Sequence, residues 1–149
     1  MLAAAGCAGG GTTDQARCDR ACNRDGMCNM GTGSPFCEPA CAERLTALRT
    51  EFRESYLDCY GDLACNDDPQ ESCEVVASQE VEQRPIDDNF LDQCQPVNTD
   101  CEESFESGFC FLTRYYQEDA VEAAMACLAM PCTAIESCLR LELPLAPFD

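Results

Sequence analysis

Apolar residues along this chain return every three or four positions, and no segment shows the sustained alternation of a strand, so helical periods dominate. Cys37, Cys41, Leu45, Leu48, Phe52, Tyr56 and Cys59 form one such stripe, with Glu43, Arg44, Arg49, Glu51, Arg53 and Glu54 on the opposite face. That pattern predicts one long helix, ended near Gly61. Cys101, Phe105, Phe109, Leu112 and Tyr116 predict a second. A third, from about Glu118, is expected to bury Val121, Met125 and Leu128. Pro131 opens a fourth, with Cys132, Ile135 and Leu139 on its apolar face.

Boundary residues add two further elements. Thr13-Asp14 opens a helix that carries Cys18 and Cys22 on one face and closes at Gly26. Asp68-Pro69-Gln70-Glu71 supplies a cap, a first-turn proline and a back-reaching acid ahead of Cys73, Val76 and Val81. Ser34-Pro35 and Thr99-Asp100-Cys101-Glu102 read as further starts. The tail from Leu143 holds two prolines and is expected to be irregular.

Cysteine spacing divides the chain. Cys41 is followed by seventeen residues, Cys59, five, Cys65, seven and Cys73; Cys110 is followed by sixteen, Cys127, four, Cys132, five and Cys138. Upstream, Cys37 is matched to Cys101. Ser72-Cys73 and Ser137-Cys138 follow a glutamate in both halves. Arg84-Pro85 is the expected divider. The fold predicted is all-α: two small disulfide-stapled helical-hairpin modules at 13–84 and 85–149, related as a diverged repeat, behind a leader and tether at 1–12.

Fifteen cysteines in 149 residues imply disulfides made outside the reducing cytosol. Cys18, Cys22, Cys28, Cys37, Cys41, Cys59, Cys65, Cys73, Cys94, Cys101, Cys110, Cys127, Cys132 and Cys138 are the candidate bridge residues. Spacing does not fix their connectivity. Clamping of neighbouring helix ends suggests Cys41–Cys59 and Cys110–Cys127. The odd count leaves Cys7 as the unpaired thiol. It follows Ala3-Ala4-Ala5-Gly6 and precedes Ala8-Gly9-Gly10-Gly11. This context resembles the end of a bacterial lipoprotein signal peptide whose start lies upstream of Met1. The resemblance implies cleavage at Gly6–Cys7, lipid on Cys7, and, with Ala8 next, outer-membrane anchoring.

The chain has no histidine and a net charge of −19; all nine of its basic residues are arginine. Such a balance excludes a nucleic-acid face and suits basic partners. Neither a histidine base nor a lysine nucleophile is available, so no enzyme is expected. Ser34, Ser72 and Ser137 read as caps or surface residues, and Asp67/Asp68 and Glu102/Glu103 as solvated acids. Asp58, Asp62, Asn66, Asp67, Asp68 and Glu71 cluster in one region without the order of a calcium loop. Sulfur ligands offer the sharper alternative. Cys18/Cys22 and Cys37/Cys41 stand one helical turn apart, with Met27, Met30, Met125 and Met130 as soft ligands for Cu(I). These pairs loosely resemble bacterial copper-storage bundles.

Cys7 and the spacing across residues 18–138 together resemble small cysteine-rich lipoproteins of myxobacteria-like bacteria. That resemblance transfers no activity. The expected function is a non-catalytic exported lipoprotein, a structural or partner-binding scaffold at the cell envelope, without a cofactor. It would be held to the membrane through its N-terminal lipid and would meet an envelope protein. Periplasmic Cu(I) storage is the alternative. Phe109, Phe111, Tyr115 and Tyr116 are candidates for a binding face or for a seam between the modules.

Overall fold

The computed structural model describes residues 13–28, 34–102 and 104–144. Cys7, Met30, Glu103 and the last five residues lie outside that range. Among the described residues the fold is all-α, with seven helices: α1 (Asp14–Met27), α2 (Cys41–Arg44), α3 (Thr50–Asp62), α4 (Pro69–Ser78), α5 (Pro85–Asp100), α6 (Glu118–Cys127) and α7 (Cys132–Glu142). Short 3₁₀ turns cover Pro35–Cys37, Leu45–Ala47, Ser107–Phe111 and Thr113–Tyr115.

Helix starts follow local chemistry. The Thr13 hydroxyl accepts the Ala16 N–H at 3.2 Å, which satisfies one open donor of the first turn. Asp68 does the same for Glu71 at 3.4 Å. At α5 the sequence reading missed a helix: Arg84-Pro85, taken as a divider, is its N-cap and first turn. Asp87 closes this start by accepting the Arg84 N–H and guanidinium, both at 2.9 Å.

Two long stripes do not become single helices. The first is broken between α2 and α3, where Leu48 is extended (φ −79°, ψ 147°). The second ends before it begins. Thr99 does not cap a new helix; it lies in the last turn of α5 and donates to the Gln95 carbonyl at 3.1 Å. Glu102 then turns the chain with φ 54°, and residues 107–115 continue in 3₁₀ turns. Val81, expected within α4, lies beyond its end at Ser78, yet is still buried.

One contact accounts for both breaks. Leu48 and Tyr116, each fully buried, form an isolated antiparallel bridge. Arg49 N–H donates to Tyr115 at 2.8 Å, and Gln117 N–H donates to Ala47 at 2.7 Å. A helical backbone at either position would hold those groups in its own ladder. Leu48 stands eleven residues before Cys59 and Tyr116 eleven before Cys127, so each half contributes the same point to the seam. Side chains extend it. The Phe52 and Tyr115 rings stack at 4.2 Å, and Arg84 donates to the carbonyls of Tyr116 (2.8 Å) and Thr113 (3.3 Å).

α1 packs on α3 and α3 on α4; α5 packs on α6 and α6 on α7. Phe52, Tyr56 and Leu57 from the first half share a single buried cluster with Phe90, Phe109, Val121, Ile135 and Leu139 from the second. Each such fully buried side chain contributes roughly 1.5–3 kcal/mol.

Candidate functional site

All fourteen described cysteines are paired: 18–41, 22–37, 28–65 and 59–73 in the first half, and 94–110, 101–132 and 127–138 in the second. Cα separations run from 5.0 Å at Cys22–Cys37 to 6.2 Å at Cys18–Cys41, within bonding reach. No bridge joins the halves. The expected pairs Cys41–Cys59 and Cys110–Cys127 are both incorrect. The kink at Leu48 separates Cys41 from α3, where Cys59 instead meets Cys73 on the neighbouring α4. Cys127 likewise meets Cys138 on α7.

Three bridges in each half follow the same order. Cys18–Cys41 and Cys94–Cys110 tie the first long helix to the segment behind it. Cys28–Cys65 and Cys101–Cys132 tie the end of that helix to the approach to the last. Cys59–Cys73 and Cys127–Cys138 join the last two helices. Cys101 therefore corresponds to Cys28, not to Cys37 as the spacing suggested. Cys22–Cys37 has no counterpart. One turn after Cys18 stands Cys22; one turn after Cys94 stands Asn98. Four residues before Cys41 stands Cys37; four before Cys110 stands Glu106.

Asn98 and Glu106 line a common groove of about 430 Å³ with Ser104, Phe105, Ser107 and Glu136. Asn98 also borders a larger groove of about 620 Å³, beside Asp92, Pro96, Ser107 and Phe111. Asn98 is only 6 % exposed, and its Oδ1 has no hydrogen-bond partner. Phe111 is 53 % exposed, whereas Phe109, Tyr115 and Tyr116 are buried. Of the four aromatics offered as a binding face, one is available, and Tyr115 and Tyr116 lie in the seam. The sequence reading passed over Asn98; its one-turn spacing from Cys94 was the available signal.

The acids serve other roles. Asp58 accepts from Arg17 and Arg20, each at 3.2 Å, and Asp62 is paired with Arg20. Asp67 offers its backbone carbonyl to Arg24 at 3.1 Å. No group of three or more metal-ligating side chains occurs among the described residues. A disulfide sulfur offers no thiolate to a metal, so the copper reading draws no support from these cysteines.

Arg24 and Asp25 form a buried structural pair, 1 % and 2 % exposed. Arg24 donates to the Ala64 carbonyl at 2.9 Å and lies over the Tyr60 ring at 5.3 Å. Asp25 accepts from Ser34 at 2.5 Å. Burial, reinforced by Asp25, pushes the Tyr60 phenol up to about 12. The network holds the 63–67 loop, which carries Cys65, against the end of α1.

A third groove opens where the halves meet, floored by Ala47, Ala120 and Ala123 and rimmed by Glu43, Asp119 and Arg140. It carries no unpartnered buried group. No family model matches the chain, and neither a curated protein nor a solved structure matches it. No helix among the described residues is long and apolar enough to cross a membrane.

Proposed function

We propose that this protein is a non-catalytic, exported binding scaffold, built from a diverged internal repeat and tethered to the bacterial cell envelope through lipid on Cys7. The cysteine inventory carries the reading. Seven bridges take fourteen of the fifteen cysteines, and the remaining one is Cys7. That residue lies in the Gly6-Cys7-Ala8 context suited to lipidation. The bridges belong to an oxidising compartment.

Support for the repeat comes from the shared order of three bridges and the matched seam positions. Support for binding rather than catalysis comes from the residue inventory. The chain holds no histidine and no lysine, and its buried charges are spent on backbone carbonyls and on each other. A net charge of −19 directs the scaffold toward cationic partners in the envelope and away from nucleic acid.

Intact mass of the protein exported from a bacterial host, before and after reduction and alkylation, tests the reading. The expected species begins at Cys7, carries acyl chains there, and gains fourteen alkyl groups only after reduction. An unmodified Cys7 in the exported chain, or thiols that alkylate without reduction, would overturn it.

A further inference from the structure

We propose that the groove between α5 and the Ser107–Phe111 turn binds an alkylammonium group, supplied by a small amine or by a lysine side chain of a partner. The inference rests on the reading of the protein as a binding scaffold and names what the scaffold holds. Four observations converge on this place.

Asn98 is more than nine-tenths buried, lines the groove, and has an Oδ1 without a hydrogen-bond partner. Buried polar atoms in folded proteins are nearly always satisfied, so an orphan beside a groove calls for an explanation, and a bound ligand supplies one. Rotation about its soft terminal torsion turns that oxygen toward a ligand. Two residues earlier, Pro96 sits inside α5. It has no N–H to give the carbonyl of Asp92, four residues back, and both residues line this groove. The Asp92 side chain is exposed and forms no ion pair with a described residue. Phe111 presents an exposed ring across the groove.

The lining thus combines the Asp92 carboxylate, the amide of Asn98 and the aromatic ring of Phe111, with no cationic side chain. Oxygen acceptors beside an aromatic face select an ammonium. The smaller neighbouring groove is a poorer candidate, because its acids already have a cation. Arg140 lies 2.9 Å from Glu136 and 3.6 Å from Glu106. The location also has a structural logic. Asn98, which stands where Cys22 of the missing bridge would correspond, lines this groove, while Glu106 lines the smaller one. Departures of this kind from the surrounding pattern are where binding sites are expected.

Amide-resolved NMR titration of the oxidised, full-length, unlipidated chain provides the test. The probes are butylammonium chloride, an acetylated Gly-Lys-Gly amide, and butanol as the neutral control. Saturable shifts at Asp92, Asn98, Ser107 and Phe111 are expected with the cations and not with butanol. Asp92→Asn and Phe111→Ala, both at exposed positions, should each weaken binding by about threefold while leaving seven bridges by intact mass. Tighter binding of the peptide assigns the site to a protein partner, and equal or tighter binding of butylammonium assigns it to free amines. Shifts spread evenly over the surface acids, or equal shifts with butanol, overturn the proposal. Because this chain carries no lipid, such a failure removes the site and leaves the tethered scaffold to be judged by the mass experiment.

Discussion

The two halves of the molecule share the order of three bridges and are otherwise held by different means. In the first, three bridges hold α1 and its end, a fourth joins α3 to α4, and arginines stitch α1 to α3. Arg17 meets Glu54 and Asp58, Arg20 meets Asp58 and Asp62, and Arg53 reaches back to Asp14. In the second, three bridges suffice, and the long helix is Pro85–Asp100 with a proline at position 96. Its packing is mainly apolar, through Phe90, Val121 and Ile135, each fully buried. The half with more covalent and ionic restraint has a buried Arg24–Asp25 pair where its first helix ends. The half with less has grooves, an exposed phenylalanine and an unsatisfied amide. Covalent and ionic restraint is concentrated in the first half, and the groove proposed to bind a ligand lies in the second.

The largest test of this comparison asks whether the halves are independent. Phe52 is fully buried and stacks on Tyr115 across the seam. Phe52→Ala should cost about 3–5 kcal/mol, read by urea unfolding of the oxidised protein. One cooperative transition should move as a whole, because the core is shared. Two transitions, with only the first displaced, would show that the seam joins two separately folding units.

Exchanging the bridges tests the correspondence more directly. Cys22→Ala with Cys37→Ala gives the first half the second half's complement, at an expected loss of about 2–4 kcal/mol. Asn98→Cys with Glu106→Cys attempts the reverse. If the halves correspond, an eighth bridge forms, seen by mass as two thiols that alkylate only after reduction. A gain of up to about 3 kcal/mol would follow for a short closed loop. Free thiols at both positions would show that the spacing match does not reflect a shared geometry.

Much of this was legible before any coordinates. Helical periods identified the class, and caps at Thr13 and Asp68 with starts at Glu118 and Pro131 located four helices within a residue or two. The pairing was harder, since it depends on which helices lie side by side. Yet Cys18/Cys22 and Cys37/Cys41 are each one turn apart. Two such pairs zip antiparallel as 18–41 and 22–37; the sequence offered all four as bridge residues, and their one-turn spacing was used only for the copper alternative. The break at Leu48 was not legible. Its cause is Tyr116, sixty-eight residues away, and a local apolar period has no term for a distant backbone partner. The helix at Pro85–Asp100 was missed because Arg84-Pro85 read as a divider. In fact Pro85 is a favourable first-turn residue, and Pro96 sits where the helix meets the groove.

Tyrosine ionisation gives a smaller effect, confined to the first half and the seam. Burial raises the Tyr60 phenol from 10.0 to about 12, and raises Tyr56 and Tyr116 as well. The folded chain therefore holds these protons more tightly than the unfolded chain does. Stability should be unaffected below pH 10 and fall between about pH 10 and 12 as unfolded tyrosines ionise first. Ultraviolet titration of phenolate beside urea midpoints across that range checks this. Tyr60→Phe should flatten part of the slope. A slope unchanged by the substitution would remove Tyr60 from the account.

The smallest effect bears most closely on what the second half is for. Asn98→Leu replaces a buried amide, whose oxygen is unsatisfied, by an apolar side chain of the same branching. Removing an orphaned polar atom should raise stability by about 1 kcal/mol, seen as a later urea midpoint at constant slope. The same change should weaken butylammonium binding, since the groove loses an acceptor. Stability gained together with binding lost is the signature of a residue retained for recognition at a cost to the fold. If Asn98→Leu instead destabilises the protein and leaves binding intact, Asn98 is a structural member of α5. The difference between the halves would then be one of stapling alone.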